Sequence, residues 1–392
     1  MTENERGFIG RRTGRAFLLL AVLAGAGVLS GYGWYARAPL IEVFNLPDAF
    51  SRRHGSFTVN VCGSASPLPG FLARRLTRGV RYRLNEGPWT EAGGGSPRVP
   101  PPLFAVELGD EALLPGLNTL TIEAASYGRR PDVRTLQFRY NPAPIRLPVR
   151  IDWESDALEV EDGRWEVFTS GGERRVRPRP GFEGYDRILV LAGAFSGGRR
   201  VVTDVIFREK VDYSNAYGFG VLSMWGGRPD DVGVGLRRGW SFGLTWYWNR
   251  YEGVGSEFSY KYGGDSPKWV NSYRNLDLRA GVRYSIAMEC WPERDAAGRH
   301  VCHRQRARWW PEGEAVPEAW VELTDAEGSP LPPGEYGVAL IAYHAQVDFG
   351  PVLIEALDSP GREVEARPVS STGPFELAKE GYGIRTALAG GR

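Results

Sequence analysis

The sequence predicts an all-β protein: an N-terminal transmembrane helix, two β-sandwiches in series, and a disordered tail. Three observations carry this prediction. The first is strict alternation in RGWSFGLTWYWNRYEGVGSEFSYKYGG, Arg238 to Gly264. Trp240, Phe242, Leu244, Trp246 and Trp248 fall on one face there, and Ser241, Gly243, Thr245, Tyr247 and Asn249 on the other. A period of two marks a half-buried strand. The second is the recurrence of such runs from Leu40 to Leu357 with almost no helical period among them, which is the pattern of packed antiparallel sheets. The third is a single uncharged run near the N-terminus, about the length that crosses a bilayer.

Composition bounds the rest. A chain of 392 residues, 42% hydrophobic and 24% charged, can bury two cores. A formal net charge of +1, with no uncompensated basic stripe, gives nucleic-acid binding no support. Gly 51, Pro 28 and Trp 13 supply many turns and many aromatics. That suits an all-β protein handling sugars, and it equally suits a well-filled sandwich core.

Residues 1–38 read as a cytoplasmic N-terminus and membrane anchor. Arg6, Arg11, Arg12 and Arg15 precede the uncharged run Ala16 to Ala36, and Tyr32, Trp34 and Tyr35 fall where an interfacial aromatic belt would lie. Arginines before the run place the N-terminus in the cytoplasm and the remainder outside it. A cleaved signal peptide is the competing reading, but Pro39 would follow the Ala36-Arg37-Ala38 cut. The expected location is a bacterial-type inner membrane, single-pass, with the bulk of the chain periplasmic or extracellular.

Residues 39–147 form the first predicted sandwich. Phe57, Val59 and Val61 face inward, as do Val80, Tyr82 and Leu84. The same holds for Phe104, Val106 and Leu108, for Leu120, Ile122 and Ala124, and for Leu136, Phe138 and Tyr140. Turns are expected at Asn85-Glu86-Gly87-Pro88, Leu114-Pro115-Gly116 and Gly128-Arg129-Arg130-Pro131. Cys62 has no evident partner and is expected as a buried apolar residue. The phrases YRLNEGPW and LLPGLNTLTIEA resemble the Ig-like or fibronectin-like modules of bacterial surface proteins, at the level of fold. That resemblance implies a spacing or pairing role.

Asn141-Pro142-Ala143-Pro144 and Pro148 mark a short, stiff junction to the second sandwich, residues 148–358. Its order is a strand ending in Trp310-Pro311-Glu312-Gly313, then Pro317-Glu318-Ala319-Trp320, then Gly334-Glu335-Tyr336-Gly337-Val338, then Asp348-Phe349-Gly350. This order resembles the concanavalin A-like lectin and glucanase superfamily in its laminin-G-like branch. The resemblance implies a two-sheet jelly roll with one concave sheet. Residues 359–392 lack periodicity and read as a disordered tail.

Catalytic signals are weak. Retaining glucanases of this superfamily carry Glu-x-Asp-x-x-Glu on one strand so that two carboxyl groups flank one bond, and none of the alternating strands read here carries it. Glu159 with Glu161, and Asp152 with Glu154, read as solvated strand charges. His300-Val301-Cys302-His303 is too cramped for three metal ligands. No cofactor is expected. Calcium is a candidate at Asp230, Asp231 and Asp265, although it needs six to eight oxygens.

The binding reading rests on aromatics and arginines. Tyr247, Trp225, Trp269 and Tyr273 are the expected sugar-stacking residues, with Asn249 as a hydroxyl partner. Arg304 and Arg306 alternate along one strand with Arg308. On a concave face they would favour an acidic glycan, and on a convex face they form a solvated edge. Cys290 and Cys302 are expected to form a disulfide across a symmetric hairpin centred on Ala296. The favoured function is non-catalytic, lectin-like recognition of a polysaccharide or envelope glycan. A structural subunit that binds envelope proteins and an atypical glycoside hydrolase are the alternatives.

Overall fold

The structure is a computed structural model. It describes residues 40–52, 59–66, 77–93, 99, 102–143, 145–155, 157–211, 217–226, 244–249, 257–261, 269–273, 279–324 and 333–357. Side chains are not described for 244–249, 257–261, 269–273, 321 and 323. The run Ala16–Ala36 lies outside these residues. Among the described residues, no helix is long and apolar enough to cross a membrane.

The first unit contains Glu42–Val43 (β1), Ala49–Ser51 (β2), Val59–Ser64 (β3), Thr77–Leu84 (β4), Thr90–Glu91 (β5), Leu103–Leu108 (β6), Gly116–Ser126 (β7) and Asp132–Asn141 (β8). One sheet has the order β1-β3-β6, the other β2-β8-β7-β4-β5. Alternation places Val59, Val61, Phe104, Val106 and Leu108 of the smaller sheet in one core with Val80, Leu120, Ile122, Ala124, Leu136, Phe138 and Tyr140 of the larger. Period-two burial of this kind is what the sequence pattern demands of a half-buried strand.

The second unit contains Val149–Ile151 (β9), Val160–Asp162 (β10), Trp165–Ser170 (β11), Glu173–Pro178 (β12), Arg187–Phe195 (β13), Arg199–Lys210 (β14), Tyr217–Trp225 (β15) and Leu244–Asn249 (β16). It continues with Glu257–Lys261 (β17), Trp269–Tyr273 (β18), Arg283–Arg294 (β19), His300–Pro311 (β20), Val321–Thr324 (β21), Tyr336–Tyr343 (β22), Ala345–Phe349 (β23) and Val352–Ala356 (β24). A seven-stranded sheet runs β10-β13-β22-β15-β16-β17-β18. A nine-stranded sheet runs β11-β12-β23-β14-β19-β20-β21, with β24 joined at β14 and β9 joined at β24. Leu189, Val221, Val338 and Leu340 of the first sheet pack against Val201, Val205, Ile286, Met288, Val347 and Phe349 of the second. Strand β14 pairs with β23 along Val205–Lys210 and with β24 along Arg199–Val202. The chain turns between those partners at Gly350, whose amide donates to the Asp204 carbonyl at 2.8 Å. A Cβ at Gly350 would collide with the Asp204 carboxylate.

The β19–β20 hairpin corrects one expectation. Cys290 pairs with Gln305 and Cys302 with Glu293, so the two cysteines are not opposite one another. Both are free thiols, as is Cys62. The cause is the turn. Asp295 Oδ1 accepts the amides of Ala297 and Arg299, both at 2.9 Å, and Gly298 takes φ +77°. These bonds hold Asp295 below the usual carboxylate range, the Arg299 amide being the largest cause. The tight turn moves the hairpin centre by an odd number of pairing steps from the expected one. An odd slip sends facing residues to opposite sides of a sheet. Cys290 therefore enters the core, while Cys302 lies on the other face, where its Sγ donates to Glu293 Oε2 at 3.2 Å.

Candidate functional site

The site is built on the outer face of the nine-stranded sheet. Pairing aligns Arg200 with Glu289 and Glu289 with Arg306, Ala287 with Arg308, Trp291 with Arg304, and Ser285 with Trp310. Their alternates Val201, Ile286, Met288, Ala307 and Trp309 fill the core. A period of two therefore turns the first set away from the seven-stranded sheet.

Glu289 organises this face. It is buried, and its two oxygens are both engaged. Arg200 Nε donates to Oε1 at 2.6 Å, and Arg306 Nε donates to Oε2 at 2.6 Å. Trp320 then lies across the arginines, with the Arg306 guanidinium 4.5 Å and the Arg308 guanidinium 4.3 Å from its ring centroid. Arg308 also donates to the Pro317 carbonyl at 3.1 Å, which ties the Pro317–Trp320 stretch to β20. Arg306 is 5.7 Å from the Trp291 ring. Trp291, Trp310 and Trp320 are all half-buried. Three indoles thus stand on one face among guanidinia whose positions are fixed. At the open end Arg304 donates to Glu293 at 2.7 Å. That bond, with the Cys302 contact, holds Glu293 below the usual carboxylate range.

A second charged belt lies further along the same sheet. Arg175 and Arg283 both bond Asp204, and both also bond Glu173. Arg208 donates to Asp348 at 2.6 Å. Burial pushes the Asp204 carboxyl up to about 6, against the pull of Arg175. On the inner side, fully buried Arg199 donates to the carbonyls of Ser223, Phe195 and Gly197. Burial raises the Cys290 thiol beside it, which makes a poor nucleophile.

The predicted residues are divided between the two sheets. Tyr247 pairs with Phe219 and Asn249 with Tyr217, on β16. Trp269 pairs with Lys261 and Tyr273 with Phe258, on β18. All four belong to the seven-stranded sheet, and their side chains lie outside what is described. Arg304 and Arg306 belong to the other sheet. Trp225 is a correction: it is wholly buried with Ile188, Val190, Leu222, Ala339 and Ile341, so no ligand reaches it. Arg304 is bonded to Glu293, and Arg306 shares Glu289 with Arg200. Asp230, Asp231 and Asp265 lie outside the described residues. Among the described residues no cluster of three or more His, Cys, Asp or Glu could hold a metal. His300 and His303 pack ring to ring at 4.4 Å, and His303 abuts Tyr336. The residues that sequence reasoning did not select are Trp291, Trp310, Trp320, Arg200 and Glu289. The Trp-Pro-x-Gly and Pro-x-x-Trp phrases signalled Trp310 and Trp320 alone.

No protein-family model matches the chain, and no curated protein matches its sequence. Solved structures align with about half of it. Alginate lyase vAL-1 from Chlorella virus aligns at 11% identity over 51% of this chain and 93% of its own, with a TM-score of 0.34. The exoplasmic/lumenal domain of VIP36 in its Ca2+/Man3GlcNAc-bound form aligns at 13% identity over 55% and 93%, with a TM-score of 0.33. The T. cruzi calreticulin globular domain aligns at 9% identity over 50% and 80%, with a TM-score of 0.31. Scores of this size transfer neither activity nor ligand. The all-β sandwich rests on the strand pairing itself.

Proposed function

We propose that the protein is a non-catalytic glycan-recognition protein, held at a membrane by Ala16–Ala36 and working outside the cytoplasm. In this reading residues 39–147 are an Ig-like module and residues 148–358 a lectin-like jelly roll. The observation that carries it is the row of half-buried Trp291, Trp310 and Trp320 among arginines fixed by Glu289. Pyranose C–H groups pack on flat aromatic faces, and fixed polar groups orient the hydroxyls. Arg200, Arg304 and Arg306 are each bonded to a carboxylate, so the proposed ligand on this face is a neutral glycan. A carboxylate whose two oxygens both hold guanidinia is not placed for general acid or base work. A glycan-array screen of the protein and of Trp320→Ala tests the reading. The wild type should bind neutral glycans, and the variant should lose roughly 1 kcal/mol or more of affinity. An array with no hit, or binding indifferent to Trp320, sinks it and favours the envelope-subunit alternative. Release of reducing sugar would establish a hydrolase instead.

A further inference from the structure

Among the described residues, two arginines of β4 bond no carboxylate. On β4, Val80, Tyr82 and Leu84 pack towards the core, so Arg81 and Arg83 take the opposite face. Arg81 is balanced: it donates to Glu123 Oε1 at 2.9 Å, and Glu91 faces it from β5. Arg83 is different. Among the described residues it pairs with no carboxylate, and its guanidinium lies 5.2 Å from the Trp89 ring centroid, with that of Arg81 at 4.7 Å. At the other end of β4 the Arg78 guanidinium lies 5.2 Å from the Tyr127 ring, again with no carboxylate partner among the described residues. Trp89 is 37% exposed and Tyr127 57%. Beside Arg83 the sheet continues through buried Thr121 on β7 and exposed Thr135 on β8, and Val133 of β8 is exposed beside Glu123.

We propose that this strand is a second binding site, which takes an acidic polysaccharide along β4 through Arg83 with Trp89 and Arg78 with Tyr127. It shares only the ligand class with the proposed function. Arg78 and Arg83 are five residues apart, with a register shift between Thr77 and Gly79 interrupting the alternation at Arg78, so at most about 16 Å of backbone separates them at about 3.3 Å per residue. A uronate chain can set one carboxylate at each cation and lay pyranose faces on the two exposed rings. Charge complementarity chooses the acidic chain. Two unpaired cations are too few for a nucleic acid, whose binding is dominated by phosphate neutralisation. Charged Arg81, Arg83, Glu91 and Glu123 occupy the middle of this face, where a stable protein interface needs an apolar centre.

The test is calorimetric titration of the full-length protein with polygalacturonate and, separately, with neutral dextran, at low and high salt. Polygalacturonate should bind and weaken with salt. Arg83→Gln and Trp89→Ala should each weaken it by roughly tenfold, the loss of one interface anchor. Arg83→Lys should recover part of the loss, since it restores charge without the planar stack. Melting temperature should hold in Arg83→Gln, an exposed change. Trp320→Ala should leave polygalacturonate binding intact, which separates this site from the indole face. Failure on that face, with the β4 variants still effective, would leave this proposal standing. It is overturned if polygalacturonate does not bind, if Arg78→Gln and Arg83→Gln have no effect, or if dextran or a single-stranded oligonucleotide binds as tightly.

Discussion

Glu289 sits buried between Arg200 and Arg306, and the chemistry of that position is severe. Such a triad adds little net stability over an apolar replacement, but removing one partner strands the others. Glu289→Ala should therefore cost about 3–5 kcal/mol in urea unfolding, and a loss below about 1 kcal/mol would mean that water already solvates both guanidinia. Asp204 makes a pH prediction. Its carboxyl stands at about 6, above the ordinary 3.8, so the folded protein holds this proton more tightly than the unfolded chain. The stability it contributes is complete below 3.8 and is lost as pH rises through 6, a change on the order of 2–3 kcal/mol. Comparing chemical unfolding of the wild type and Asp204→Asn between pH 4 and 6.5 checks the sign. The variant should lack this decline, and parallel curves would show that Arg175 and Arg283 hold the carboxylate ionised throughout.

At the scale of strands, the facing of side chains was legible and the register was not. Val59 with Val61, Phe104 with Val106, and Leu136 with Phe138 turn inward as alternation demands, because burial of one face imposes a period of two. The register of β19 with β20 depends on side-chain hydrogen bonds within the turn, which alternation does not encode. Asp295 closes that turn, and the slip separates Cys290 from Cys302. It also sets Met288 across from Ala307 and Ile286 across from Trp309. Apolar residues thus meet where the symmetric hairpin would have set arginines. Thiol titration of the unreduced, denatured protein should find three free cysteines, and one alone would restore the bridge. Trp225 was misread for a related reason. GVLSMW, like ILVLA in β13 and VALIA in β22, is an almost continuous apolar run, the mark of a strand covered on both faces. The indole face on β19 and β20 was legible only as motif phrases, since Trp291 and Trp320 meet the arginines through pairing across three strands and a turn.

For the whole molecule the question is whether the two sandwiches move independently. The proline-marked junction suggested a spacer on a stiff link, yet the contacts reach well beyond that link. Asn45 adopts φ +44°, a conformation that asparagine tolerates better than most residues. Its amide nitrogen donates to the Trp165 carbonyl at 2.8 Å, and its amide oxygen accepts the Trp165 N–H at 3.0 Å. It thereby takes the place of a strand partner for the start of β11. Cys62 Sγ donates to the Glu161 carbonyl at 3.3 Å, Arg52 bonds Glu335, and Arg164 bonds Glu42 at 2.9 Å. Phe44 and Phe182 meet edge to face at 5.4 Å. Phe44, Cys62 and Ala105 of the first unit belong to the larger core of the second. Separating the units would expose that apolar surface and leave Trp165 backbone groups unpaired, so the energetics favour unfolding together. Calorimetry of the protein should give one cooperative endotherm. Asn45→Ala should lower it as a whole, by about 1–3 kcal/mol for the stranded backbone groups. Two endotherms, with Asn45→Ala moving only the first, would show instead that the sandwiches are independent and that the junction is a hinge.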